Sequence, residues 1–280
     1  MGRTLISQLL PTLQKLEWSG VPEATPAGAL VFRTMLDQVD GYRGDPKDLG
    51  VALRTIRTTD SLPYMYAGVA YILLAAAGPR NSATKTGALQ PDDYDEEGLQ
   101  AALQWLEKAQ ETAPDQVEIN VIEVLIYIHS GRYDDARLVL DYLQGERPDN
   151  YYLLRAEMMY WQAVGDQEKA VSWSDRALEE AETVPQRLRL KSSVAAIHRA
   201  AGDASQALQA YREALHFDDN NAWLCHQISL LHYEQDDLEE AAHFNERALK
   251  IKPDLAEAQQ LREQLGQQQD PSRFLGRFFG

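Results

Sequence analysis

Cys225 is the single cysteine in 280 residues. A disulfide within the chain is thereby excluded, and so is any multi-cysteine metal site. Such usage fits a reducing compartment. Basic residues are also in the minority: 27 Lys and Arg stand against 43 Asp and Glu, for a formal net charge of -16. Nucleic-acid binding needs a Lys/Arg surface that displaces counterions from phosphates, so no nucleic-acid partner is expected. Long apolar runs are missing as well. The longest, Ala67 to Ala77, is far too short to span a bilayer. Met1 to Trp18 has no uninterrupted apolar stretch followed by a small-residue cleavage site. Cytoplasmic is the expected location. What the chain does have is core material: 44% hydrophobic and 25% charged residues describe a globular chain rather than a disordered one.

Internal repetition decides the organisation. Ala102, Ala136, Ala170, Ala207 and Ala241 are spaced by 34, 34, 37 and 34 residues. A second series, Ala109, Leu143, Ala177, Ala214 and Ala248, runs in step with it. Small residues at a fixed place let two helices approach closely. Gly131, Gly165, Gly202 and Asp236 mark one turn, where such residues end a helix, and Asp166 and Asp203 follow as N-caps of the next. Pro114, Pro148, Pro185 and Pro253 mark a second turn, expected to stop the second helix of each unit. Asp115 with Glu118 and Asp254 with Glu257 read as capping boxes. Each unit is helix, turn, helix, turn, and none can bury its apolar face alone, so the units must stack.

Period, small residues and closing proline together resemble the tetratricopeptide repeat (TPR) family. The resemblance implies an all-α, right-handed solenoid of stacked helix-turn-helix repeats. Four regular units cover 117–255, divided as 117–150, 151–187, 188–221 and 222–255, the last being the most typical. Upstream, 61–116 reads as a split unit whose helices, Tyr64–Ala77 and Glu97–Ala113, flank an insert over 78–96. That insert is either functional or a tolerated insertion. Residues 1–60 hold a helix over Leu5–Trp18, a Pro-rich turn, and a degenerate pair, Ala27–Val39 and Lys47–Thr59, with Asp45 and Pro46 as N-cap and first helical residue. A capping helix is expected over 256–269. The tail 270–280 carries Phe274, Leu275, Phe278 and Phe279 together with Arg273 and Arg277. It folds back on the last repeats, docks on a partner, or touches a membrane surface.

Chemistry-bearing motifs are scarce. HExxH, a Walker glycine loop and a dinucleotide turn are all absent from the sequence. His198 and His232 are one repeat apart, in the slot where the family usually has an aromatic, and read as packing residues. Cys225 reads as a small buried hydrophobe. Adjacent acids such as Glu239 and Glu240 point in different directions on a helix and form no dyad. No catalytic residue, metal or cofactor is expected.

In the resembled family the first helices line a concave surface. Residue by residue, this gives four rows: Glu118, Tyr152, Arg189 and Trp223; Val121, Arg155, Ser192 and His226; Leu125, Met159, Ala196 and Leu230; Ile128, Gln162, Arg199 and Tyr233. From these, Tyr152, Arg155, Met159, Arg189, Arg199, Trp223, His226, Leu230 and Tyr233 are the expected partner-binding residues, with the Phe-rich tail as a second element. Trp, Tyr and Arg supply much of the energy at interfaces. The arginines either hold a partner's carboxylate or pair with acids of the same solenoid. The expected function is a scaffold, adaptor or assembly factor that holds a segment of another protein. Alternatives are a dedicated chaperone for a secreted or membrane client, and a self-assembling protein that uses its tail.

Overall fold

The computed structural model describes residues 5–42, 44–78 and 91–268. Among them are fourteen α-helices, one short 3₁₀ turn and no strand. The chain is an all-α solenoid of stacked helix pairs, and it divides into two compact units, residues 1–180 and 181–280.

In the first unit α1 spans Leu5–Lys15, and four pairs follow: α2 (Pro26–Asp40) with α3 (Pro46–Ile56), α4 (Leu62–Ala77) with α5 (Glu96–Gln110), α6 (Val117–His129) with α7 (Tyr133–Glu146), and α8 (Tyr151–Ala163) with α9 (Gln167–Glu179). The hub is α4, which packs on α1, α2, α3, α5 and α6. Thirteen of its sixteen residues are buried, so the longest apolar run of the sequence is a core helix. None of the helices among the described residues is long and apolar enough to cross a membrane. Asp45 caps α3 through the Lys47 backbone N–H, with Pro46 in the first turn, as the sequence predicts.

The second unit holds α10 (Val184–Ala200), α11 (Ala204–Phe217), α12 (Ala222–Glu234), α13 (Leu238–Ile251) and α14 (Ala256–Gln268). α14 closes it, burying Ala258, Leu261 and Leu265. Cys225 is fully buried against Ala248 and Ala258.

Both small-residue series lie in helix contacts: every member, from Ala102 to Ala248, is at most 1% exposed. The turn series shares one geometry. Gly131, Gly165, Gly202 and Asp236 all have positive φ, the left-handed conformation that ends a helix with minimal Cβ strain only in glycine. At each turn the following N–H reaches back to close the Schellman bond: Arg132 to Tyr127, Asp166 to Trp161, Asp203 to His198 and Asp237 to His232, at 2.8–3.0 Å. Asp166, Asp203 and Asp237 then cap the next helix. Gly165 has no atom within 4 Å of an added Cβ, so a substitution there meets backbone strain alone. Gly165→Ala is expected to cost about 1 kcal/mol. Gly145→Ala, inside α7 and equally open, is expected to add about 0.5–1 kcal/mol. Thermal denaturation of the two variants should move in opposite directions.

Three local expectations need correction. Pro185 does not end a helix; it lies in the first turn of α10, behind a Thr183–Gln186 capping box. The three-residue excess is therefore taken up by a longer α10, and the expected boundary at 187/188 falls inside that helix. Asp115 does not cap α6, which starts after Gln116 with no side-chain cap, so Asp115 lies one residue outside the capping position; Glu118 pairs instead with Arg33 at 2.7 Å. α14 begins at Ala256, so Asp254 lies one residue outside the capping position.

Candidate functional site

The first unit carries a cavity of about 380 Å³ on the face made by the first helices of its pairs. The C-terminal end of α2 supplies Val39 and Asp40; α4 supplies Tyr71 and Leu74; α6 supplies Leu125, Ile128 and His129; α8 supplies Arg155, Met159 and Gln162. Tyr133 of α7 and, at the described end of the insert, Pro91 and Tyr94 also line it. The insert's residues 79–90 lie outside the described residues.

A buried ion pair forms one side of this cavity. Arg155 donates from both terminal nitrogens to the two carboxylate oxygens of Asp40, at 3.0 Å each. Their side chains are 13% and 5% exposed. The Tyr71 hydroxyl donates to the same carboxylate. Burial alone would lower the guanidinium's pKa, but Asp40 and the nearby phenol oxygens hold it well above its ordinary value. Burial, and then the Asp40 charge, push the Tyr71 phenol up. Across the cavity, Tyr94 stacks on His129 with ring centroids 4.2 Å apart. Burial, followed by the Arg155 charge, lowers His129 to about 4. At neutral pH the imidazole is thus uncharged, the Tyr71 phenol is protonated and the guanidinium charge is balanced by Asp40. None of these groups titrates near neutrality, as general acid–base work requires.

Of the two expectations for the arginines, Arg155 meets the second: it is occupied by a carboxylate of its own chain. Tyr152, in the neighbouring row, is 7% exposed and packs edge-on against Tyr151. Its phenol is pushed up by burial and by the Asp37 charge of α2. It belongs to the core and is not available to a partner. Met159 does reach the cavity. In the second unit Arg199 pairs with Glu234 and donates to Gln227 at 3.2 Å, so it too is answered within the chain. Trp223 is half-buried, edge-on to Tyr211, and Arg189 is half-buried. His226 is 4% exposed, with its pKa lowered chiefly by burial. Leu230 and Tyr233 pack on the cluster of Ala241, Leu261 and Leu265, and α14 covers them. Phe274, Leu275, Phe278 and Phe279 lie outside the described residues. His232 is a packing residue as expected, stacked on Phe244 with Nδ1 3.1 Å from Asp237.

Asp40, Tyr71, Tyr94 and His129 escape sequence reasoning. None lies in the four rows, and Asp40 is 115 residues from Arg155. A second ion pair is equally hidden from sequence: half-buried Arg137 donates bidentately to buried Glu157 at 2.9 and 2.8 Å. Among the described residues no group of three or more His, Cys, Asp or Glu is placed to hold a metal ion.

The family model for the tetratricopeptide repeat matches residues 198–265. Over that stretch the chain carries tetratricopeptide repeats. The matched stretch contains α11, α12, α13 and the fully buried Ala207, Ala214, Ala241 and Ala248. Among solved structures, a thermophilic TPR protein of Thermus thermophilus is 18% identical, covering 61% of this chain and 90% of that one, with a TM-score of 0.47. MamA of Desulfovibrio magneticus is 13% identical, covering 56% and 88%, with a TM-score of 0.46. YrrB, described as a TPR protein with an unusual peptide-binding site, is 18% identical, covering 60% and 84%, with a TM-score of 0.43. No curated protein sequence matches the chain.

Proposed function

We propose that this TPR protein is a non-enzymatic scaffold that holds a segment of a partner protein, and that the segment is anchored in the cavity between α2, α4, α6 and α8. The observation that carries this reading is the cavity itself. It is a recess of about 380 Å³, within the range of ligand pockets, mostly apolar with a few convergent polar groups. Neutral His129 and the compensated Arg155 favour holding a group over reacting with it. The repeats supply the rigid frame that such sites need.

Met159→Trp, which fills the cavity from α8, tests this. The full native chain and the variant are each used to capture proteins from the cells that make the chain, with quantitative mass spectrometry. At least one captured protein is expected to fall about tenfold in the variant, the loss of roughly 1.4 kcal/mol of anchoring, with circular dichroism and melting temperature unchanged. Equal capture by the two chains would take the interface away from the cavity. Tyr152→Ala is unsuited to this purpose, because Tyr152 is buried and its loss would disturb packing first.

A further inference from the structure

We infer that the cavity takes an uncharged aromatic side chain of the partner and discriminates against a carboxylate; this rests on the cavity being the anchor site proposed above. Isolated, Arg155 would mark a carboxylate receptor. Here both terminal nitrogens already hold Asp40 at 3.0 Å, and Tyr71 donates to that carboxylate as well. A partner carboxylate would have to displace Asp40 from Arg155, and Asp40 sits with its side chain only 5% exposed. Otherwise it would sit beside Asp40 as a like charge in a low-dielectric recess, which disfavours both. His129 offers no compensating charge, being neutral at physiological pH.

What remains, beside aliphatic side chains from α2, α4 and α6, is an aromatic and sulfur-containing sector: Tyr71, the stacked Tyr94 and His129, Tyr133 and Met159. Ring faces and edges suit another ring in edge-on or offset contact, and a thioether is favourable beside one. Gln162, also in the wall, provides an amide for a phenol hydroxyl or an indole N–H. A wall of this kind rewards a flat neutral group with a polar tip. A charged group would surrender its hydration without recovering it.

The test compares two probes of similar size, p-cresol and benzoate, titrated into the full chain and followed by two-dimensional amide NMR. The native chain is expected to bind p-cresol at least tenfold more tightly than benzoate, and Met159→Trp should abolish that binding. Asp40→Asn removes the compensating charge, so benzoate affinity should rise about tenfold or more. Should that variant fail to fold, the double variant Asp40→Asn/Arg155→Gln, with neither charge, is expected to keep the p-cresol preference. Equal or tighter benzoate binding by the native chain would overturn the inference while leaving the cavity as a binding site. Benzoate preference in the double variant would overturn it too. Binding of neither probe by the native chain would overturn the cavity reading together with it.

Discussion

Arg155→Met is expected to destabilise the first unit by about 3–5 kcal/mol, the usual cost of removing one member of a buried ion pair. The side chains of Asp40 and Arg155 are 5% and 13% exposed, and they join α2 to α8. Methionine conserves much of the arginine's aliphatic bulk, so loss of packing contributes little. The damage comes from the carboxylate. Asp40 would lose both guanidinium hydrogen bonds while the Tyr71 hydroxyl stays on it, and a buried carboxylate is costly without its countercharge. The double variant Asp40→Leu/Arg155→Met should recover most of the loss, because replacing a buried pair by apolar groups is often neutral or stabilising. Urea unfolding of both single variants and the double variant closes the cycle and gives the coupling directly. A loss below about 1 kcal/mol in Arg155→Met would mean that water enters and solvates Asp40.

The same pair shows where sequence reasoning stops. Helix stacking was legible because it is written locally and repeatedly: small residues in step, a left-handed residue at each turn, an aspartate to cap the next helix. Asp236 in the glycine series is the telling case, since a non-glycine residue there still adopts φ of 63°. The repeat imposes the turn even where the best residue is missing. Local signals misled only where two fit the same stretch. Pro185 suits the end of one helix or the first turn of the next, and Thr183 with Gln186 decides for the latter. Asp115 had a plausible capping partner in Glu118, but α6 starts one residue further on, after Gln116, and the Glu118 carboxylate meets Arg33, 85 residues away. The site failed for the same reason on a larger scale. Carrying over the family's rows brought Arg155, Met159 and Gln162 to the cavity, because those positions follow from the repeat. It could not supply Asp40, Tyr71, Tyr94 or His129, which come from α2, the sides of first helices and the end of the insert. The repeat fixes where a side chain starts, and its long-range neighbour decides whether its charge is available.

Acid is expected to weaken the first unit through His129. Its pKa is lowered to about 4 in the folded chain, against about 6.5 when unfolded. The folded state therefore holds the ring neutral over a range in which the unfolded state binds a proton. Stability from this source is complete above pH 6.5, falls as the pH drops below that value, and has been lost by about pH 4. The full shift corresponds to about 2–3 kcal/mol once solvent at the open edge of the ring is allowed for. Two features of the fold hold the pKa down. Burial comes first, with Tyr94 stacked on one face; the Arg155 charge, which repels an imidazolium, comes second. His129→Phe keeps a ring against Tyr94 and removes the titration. Its melting temperature should therefore fall less than that of the native chain between about pH 7 and about pH 4.5, and the difference between the two curves isolates His129 from the carboxylates titrating in both. Superimposable pH profiles would show that the ring is protonated in the folded chain as readily as in the unfolded one, and would remove the argument that the cavity is uncharged on that side.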